Sequence, residues 1–256
     1  MNEAFEVAGV GLVAQQKALD AIASNIANIN TPAFKRTEVR FSDVMASVSD
    51  PANAPADLAY ASSLAGVRAE LALALDEQGE VQVTGRALDI AIAGDGFIEL
   101  MGARGQSLLW RGGALSVSED GLLTGAGGFA LRAGIEAPPA ATALHITADG
   151  YVRASIAGAD EPVELGRITL VRVSDHSAVE RLDAGLYRLA EGADRVEAMP
   201  GEDGAGELLQ GAIERSNVDI NEEMIRLMIV QRSYAANAQI VQAADQLMAI
   251  ANGLRR

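Results

Sequence analysis

FEVAGVGLVAQQKALDAIASNIANINTP, running from Phe5 to Pro32, carries apolar residues at two interleaved seven-residue spacings. Phe5, Leu12, Leu19 and Ile26 form one set, and Ala8, Gln15, Ile22 and Ile29 follow three positions behind each. That repeat belongs to a helix that buries one seam against another helix. Gln15 is its one polar intrusion. Ala14, Ala18, Ala21, Ala23 and Ala27 widen the apolar surface beyond a two-strand stripe, so the helix can meet more than one neighbour. Asn30, Thr31 and Pro32 stop it, because proline cannot donate the helical hydrogen bond and restricts its predecessor to extended geometry.

The carboxyl end repeats the logic. Ile220, Leu227, Tyr234, Val241 and Met248 are spaced by seven, with Met224, Val230, Ala244 and Ala251 alongside and Ile240, Leu247 and Leu254 broadening the stripe. Asp219 is placed as N-cap with Glu222 three residues on, and Asn252-Gly253 supplies a C-cap. Each helix is expected to be on the order of 40 to 50 Å long.

Between the helices the period falls to two and glycines crowd from Gly79 to Gly166. Asp95-Gly96, Asp120-Gly121 and Asp149-Gly150 each precede an apolar residue, as where a positive-φ turn feeds a strand. The alternation predicts strands over 87–93, 97–101, 114–118, 129–132, 144–147, 151–156, 168–173 and 186–189. Ala46 to Gly66 reads as a loop or extended linker, and Met199 to Gly206 as a second break. The expected fold is α+β: long N- and C-terminal helices forming a discontinuous, coiled-coil-like domain, with an antiparallel β-rich domain inserted. Its boundaries are 1–45 with 207–256 for the helical assembly domain, 46–85 for the linker and connecting region, and 86–206 for the β-rich domain.

Composition removes several functions. Twenty Lys and Arg against 35 Asp and Glu leave a net charge of −15, which opposes binding to phosphate backbones. The chain has no cysteine and two histidines, His145 and His176, so thiolate chemistry and a histidine-rich metal site are excluded. No stretch reaches the 18 or more uncharged apolar residues of a membrane span. The acidic start lacks the basic region of a secretory signal, so a soluble chain, or one exported without a cleaved segment, is expected. Gly125 to Gly128 lacks the Lys-Ser/Thr of a phosphate loop and reads as a turn. Ser174-Asp175-His176 holds triad residue types, but three consecutive side chains cannot converge. Asp149, Asp160 and Glu161 lack calcium-ligand spacing. Trp110 is expected to fill core volume, the alternative being a subunit contact. No cofactor and no catalytic constellation is expected.

Ser24-Asn25-Ile26-Ala27-Asn28-Ile29-Asn30-Thr31-Pro32-Ala33-Phe34-Lys35-Arg36 resembles the signature of flagellar basal-body rod and hook proteins, N-N-x-A-N-x-x-T-x-G-F-K. Glu214-Arg215-Ser216-Asn217-Val218-Asp219 and Gln231-Arg232-Ser233-Tyr234 are similar to that family's E-x-S-N-V-x and Q-R-x-Y motifs. Leu88 to Phe97 looks like the strand and turn before its outer domain. Gly11 to Gln16, Phe34-Lys35-Arg36 and Glu222-Glu223 look most like the family's distal-rod branch. Ser24 and Ala33 replace the usual Asn and Gly, and the 46–66 linker is short for that branch.

The resemblance implies a structural role, with no reaction. Many copies would stack helically into a hollow tube, joined to other axial proteins (rod subunits and hook) and surrounded by basal-body rings, with neither nucleic acid nor small-molecule substrate. Export by the flagellar secretion apparatus, without a cleaved signal, follows from the same likeness. The assembly interface is then expected from Phe5, Leu12, Leu19, Ile22, Asn25, Ile26, Asn28 and Phe34 at one end. Asn217, Ile220, Leu227, Gln231, Arg232, Tyr234, Val241 and Met248 complete it at the other. Asn25, Asn28 and Asn30 would pack their amides between neighbouring subunits, and stacked acidic copies would repel one another unless basic residues such as Arg36, Arg226 and Arg232 are matched across interfaces. A β-rich binding module with helical oligomerisation ends is the reading from another class.

Overall fold

The computed structural model describes residues 2–43, 67–158 and 161–253, with the side chains of 2–8, 41–43, 67–69, 184, 245, 247–249 and 251–253 outside that description. Helix α1 spans Asn2–Ala27. Strands β1 (Thr37–Asp43) and β2 (Val67–Leu73) pair with each other. There follow β3 (Val81–Val83), β4 (Asp89–Ala93), β5 (Phe97–Met101), β6 (Ser107–Trp110), β7 (Gly112–Ala114), β8 (Ser116–Val117), β9 (Leu123–Thr124) and β10 (Ala130–Leu131). Next come β11 (Ala141–Ile146), β12 (Tyr151–Ile156), β13 (Val163–Arg167), β14 (Leu170–Val173), β15 (Val179–Arg181), β16 (Leu186–Leu189), β17 (Arg195–Ala198), β18 (Glu207–Gln210) and β19 (Ala212–Glu214). Helix α2 covers Ile220–Gly253. The class is α+β, two helices and a large antiparallel β-rich region. Among the described residues no helix is long and apolar enough to cross a membrane.

Two compact units result. Among the described residues, one holds the helices with 37–43 and 67–72, and the other holds 28–36 with 73–158 and 161–218. The β-rich unit is thus entered by segments from both ends of the chain. β2 and β3 lie within the stretch read as linker, and β18 and β19 within the stretch assigned with the C-terminal helix. The two short strands β3 and β19 have too few residues to show alternation, which is why periodicity missed them. Residues 46–66 of that linker lie outside the described ones.

The main sheet of the β-rich unit runs β15-β16-β6-β5-β10-β9-β8, with β14 joined to β5 and β17. Its centre is β5, whose first four residues are all buried because both faces are covered. Ile98 and Leu100 point into the larger core with Trp110, Leu123, Leu131 and Ile168. Phe97 points the other way, among Leu75, Leu109, Val171 and Tyr187, and meets the Tyr187 ring edge-on at 5.6 Å. Burial on both faces replaces the polar half of the alternation except at Glu99, which is paired with Arg132 and Arg195. Trp110 is therefore core, as its size suggested. The three Asp-Gly turns take the positive φ expected of them, 123° at Gly96, 83° at Gly121 and 92° at Gly150.

Asp219 caps α2, its Oδ1 accepting from the amides of Asn221 at 2.7 Å and Glu222 at 3.3 Å, which satisfies donors that a helix start otherwise leaves orphaned. Helix α1 ends at Ala27, three residues before the Asn-Thr-Pro stop, and the Thr31 amide closes the following turn on Asn28 O at 3.0 Å.

Candidate functional site

In the β-rich unit the motifs from both ends meet. Past Pro32 the chain turns through Ala33, whose φ of 55° is left-handed and whose residue is 2% exposed. A side chain there costs about 1–2 kcal/mol relative to glycine, and tertiary bonds hold it: the Ala33 amide donates to Glu214 O at 2.8 Å and its carbonyl accepts from the Tyr187 hydroxyl at 3.2 Å. The alanine adopts the geometry that the family's glycine would take freely. Burial pushes the Tyr187 phenol up to about 12.

The turn delivers three side chains. Phe34 is buried with the Arg181 guanidinium 4.4 Å from its ring centroid. Lys35 is wholly buried, its Nζ donating to Glu214 Oε1 at 2.7 Å and to the Glu77 carbonyl at 2.6 Å. Arg36 pairs with Glu77 at 3.1 Å. Glu214, equally buried, accepts on Oε1 from the Gly79 amide at 2.9 Å and on Oε2 from Arg111 at 3.2 Å. Arg111 also donates to Gly96 O at 2.7 Å and Gly94 O at 2.9 Å and lies over the Phe97 ring at 5.6 Å. Two cations thus share one carboxylate away from water. Burial holds Lys35 below its usual lysine value, and Glu214 pulls the other way.

Asn217 completes the junction. Its Oδ1 accepts from the Arg36 amide at 2.7 Å, and its Nδ2 donates to Ala74 O and Glu77 O at 3.0 Å each. Gly79 makes the approach possible, since a Cβ there would sit 1.9 Å from Arg215 O. Gly79→Ala is therefore expected to destabilise the unit by about 2–3 kcal/mol, the cost of forcing two packed backbones apart, readable as a lower urea midpoint. An unchanged midpoint would show that the two backbone segments part freely.

In the helical unit Asn25 is buried, and both ends of its amide are used within the chain: Nδ2 donates to Thr37 O and Oδ1 accepts from Thr37 N, each at 2.9 Å. The line that α1 buries is Ala14, Ala18, Ala21, Ile22 and Asn25. Leu12, Leu19 and Ile26 flank it, half-buried. Small residues let the two helix axes approach closely; a Cβ at Gly11 would lie 3.1 Å from Asn237 Nδ2. On α2, Glu223 is buried and Leu227, Val230, Ser233, Asn237 and Val241 are half-buried, while Ile220, Gln231, Arg232 and Tyr234 are exposed. Arg226 pairs with Glu38 at 3.3 Å. Asn28 is half-buried and accepts from the Thr31 hydroxyl at 3.2 Å. The side chains of Phe5 and Met248 lie outside the described ones.

Sequence reasoning missed Lys35 and Glu214 as site residues, because charged residues in two distant motifs carry no local signal that they pair. Gly125 to Gly128 forms a short 3-10 turn. Asp175 accepts from Ser177 N at 2.9 Å and His176 contacts Asp76 at 3.0 Å, which is loop bonding and no triad. Asp160 lies outside the described residues. An open trough of about 1110 Å³ beside β11 is walled by Leu88, Val117, Leu144 and Ile156, with Glu119, Asp120 and Glu136 at its polar edge.

Three family models match the chain. One described as flagella basal body rod protein covers residues 5–35, one described as flagellar hook protein FlgE/F/G D1 domain covers 91–154, and one described as flagellar basal body rod FlgEFG protein C-terminal covers 209–254. Lys35, Arg111 and Glu214 come one from each. The chain is 31% identical over 264 residues to flagellar basal-body rod protein FlgG of Borreliella burgdorferi, covering 100% of both chains. It is 32% identical over 264 residues to the protein of that name from Caulobacter vibrioides, covering 99% of each. Flagellar hook-basal body complex protein FlhP of Bacillus subtilis is 28% identical over 273 residues, 94% of each chain.

Proposed function

The chain belongs to the family of flagellar basal-body rod proteins and is a structural subunit of the rod, and we propose that it builds the rod by packing many copies through α1 and α2 into a hollow helical tube that carries torque from motor to hook. Its place is the flagellar basal body. Mechanism here is packing, with no catalysis and no cofactor.

The observation that carries this reading is helix surface left uncovered in the single chain. Val10 and Val13 on α1, and Ile220, Met224, Ile225, Met228, Ile229, Tyr234, Ile240 and Ile250 on α2, are all exposed. Scattered apolar side chains need no explanation, but a run of them along two helices marks a surface meant for protein. Coiled-coil-like pairing between copies would cover it, with Leu12, Leu19, Ile26, Leu227 and Val241 at the flanks. Segments 1–45 and 207–256 would act in assembly, 46–85 would connect them, and 86–206 would meet surrounding basal-body rings. Other rod subunits and the hook are the axial partners, a distal-type position follows from the relatives, and export would use the flagellar secretion apparatus without a cleaved signal.

Raising the concentration of the purified chain should reveal a threshold above which electron microscopy shows tubes and sedimentation shows polymer coexisting with monomer. A discrete small oligomer at every concentration would sink the reading and favour the binding module.

A further inference from the structure

Within the helical unit, α1, α2 and β1 enclose a recess of about 260 Å³. Its walls are largely apolar, with Ala18, Ala21, Ile22, Ile229 and Val230 among them. Yet Glu223, 0% exposed, lines it with both carboxylate oxygens lacking any hydrogen-bond partner, and so do Gln15 Oε1 and the Thr37 hydroxyl. Buried polar atoms in native proteins are almost always satisfied, and a buried unpaired charge is costly. Arg226, on the same wall, is already engaged with Glu38 at 3.3 Å and Glu222 at 3.8 Å. The recess therefore gathers acceptors without donors, two of them on one carboxyl group, a set that the donor-rich guanidinium of an arginine completes.

Among the described residues of the two helices, the basic side chains are Lys17, Arg226 and Arg232. Lys17 has a partner within the chain. Arg232 is exposed and forms no ion pair among the described residues. It cannot reach the Glu223 of its own chain: nine residues on, it stands about 180° around α2 and roughly 13 Å along it.

We propose that the recess receives the Arg232 guanidinium of a neighbouring copy, which pairs with Glu223. The proposal rests on the rod reading and adds its direction. Donor and acceptor sit on opposite faces of one helix, so each copy meets two different neighbours and the contact is heterologous. A heterologous contact propagates into a helical array where a self-complementary patch would close a dimer. The planar fork suits the carboxylate, and its spare donors suit Gln15 and Thr37.

The test is a double-mutant cycle on the full chain, with critical concentration for polymer as readout and monomer melting temperature as control. Glu223→Gln and Arg232→Ala are each expected to raise the critical concentration at least about tenfold, the double variant no more than either alone. Glu223→Gln should leave the monomer as stable or more so, because the amide adds donors to a recess lined with acceptors. Normal assembly of either variant, or effects that multiply in the double variant, would overturn the pairing. So would a Glu223→Gln monomer that melts below the parent, since that gives Glu223 a role within its own chain. If the unmodified chain fails to polymerise, the rod reading itself falls, and the pairing with it.

Discussion

Glu214→Ala should lower the melting temperature of the β-rich unit by roughly 10 °C or more. The substitution leaves Lys35 and Arg111 buried beside each other without their shared carboxylate, and the Gly79 amide loses its acceptor. Removing one partner of a buried ion pair costs about 3–5 kcal/mol, and each kcal/mol moves the midpoint by roughly 2–4 °C in a unit of this size. The deficit depends on pH with a definite sign. Burial already lowers the Lys35 value in the folded chain and Glu214 opposes that; without Glu214 it falls further. Between the folded value and the ordinary lysine value of 10.5 the unfolded chain then binds more protons, so the variant gains stability as pH rises through that window. Melting curves at pH 7 and pH 10 check both claims, and adding Lys35→Met should restore part of the loss. A variant that melts like the parent would mean the cations find water or another acceptor.

The second large effect concerns assembly alone. Ile225 and Met228 are 54% and 51% exposed and one turn apart on α2, so Ile225→Asp with Met228→Asp should leave the monomer within roughly 0.5 kcal/mol of the parent. In a tube both charges would be buried at every repeat, at several kcal/mol. A cost of only about 2.7 kcal/mol is already a hundredfold in an association constant, so the critical concentration should rise at least about that much. Tubes forming at the parental concentration would place this face on the outside of the polymer. Leu227→Asp or Leu19→Asp separates less cleanly, because both residues are half-buried and their loss also loosens the monomer.

The fate of the arginines shows how far charge arithmetic reaches. By net charge alone, Arg36, Arg226 and Arg232 are equal candidates for pairing across copies. The fold gives Arg36 to Glu77 and Arg226 to Glu38, which leaves Arg232. The asparagines divide similarly: Asn25 and Asn217 bind backbone of their own chain at each end of the amide, which one short side chain can do because its amide both accepts and donates.

Features that depend on a few neighbouring residues were legible in the order of the amino acids: two helices, the Asp219 cap, the Asp-Gly turns with positive φ, the strands at 97–101, 151–156 and 186–189, and membership of a family through motifs at both ends. Each follows from local sterics or from a period of two or near 3.6. The alanine line that α1 buries, in place of the leucine line one step around, was not legible, since periodicity locates an apolar face but axis separation selects the stripe within it. Nor was the bond between Lys35 and Glu214, 179 residues apart. Only tertiary structure could bring those charges together, because nothing local requires a lysine to give up water until a fold has placed a carboxylate beside it.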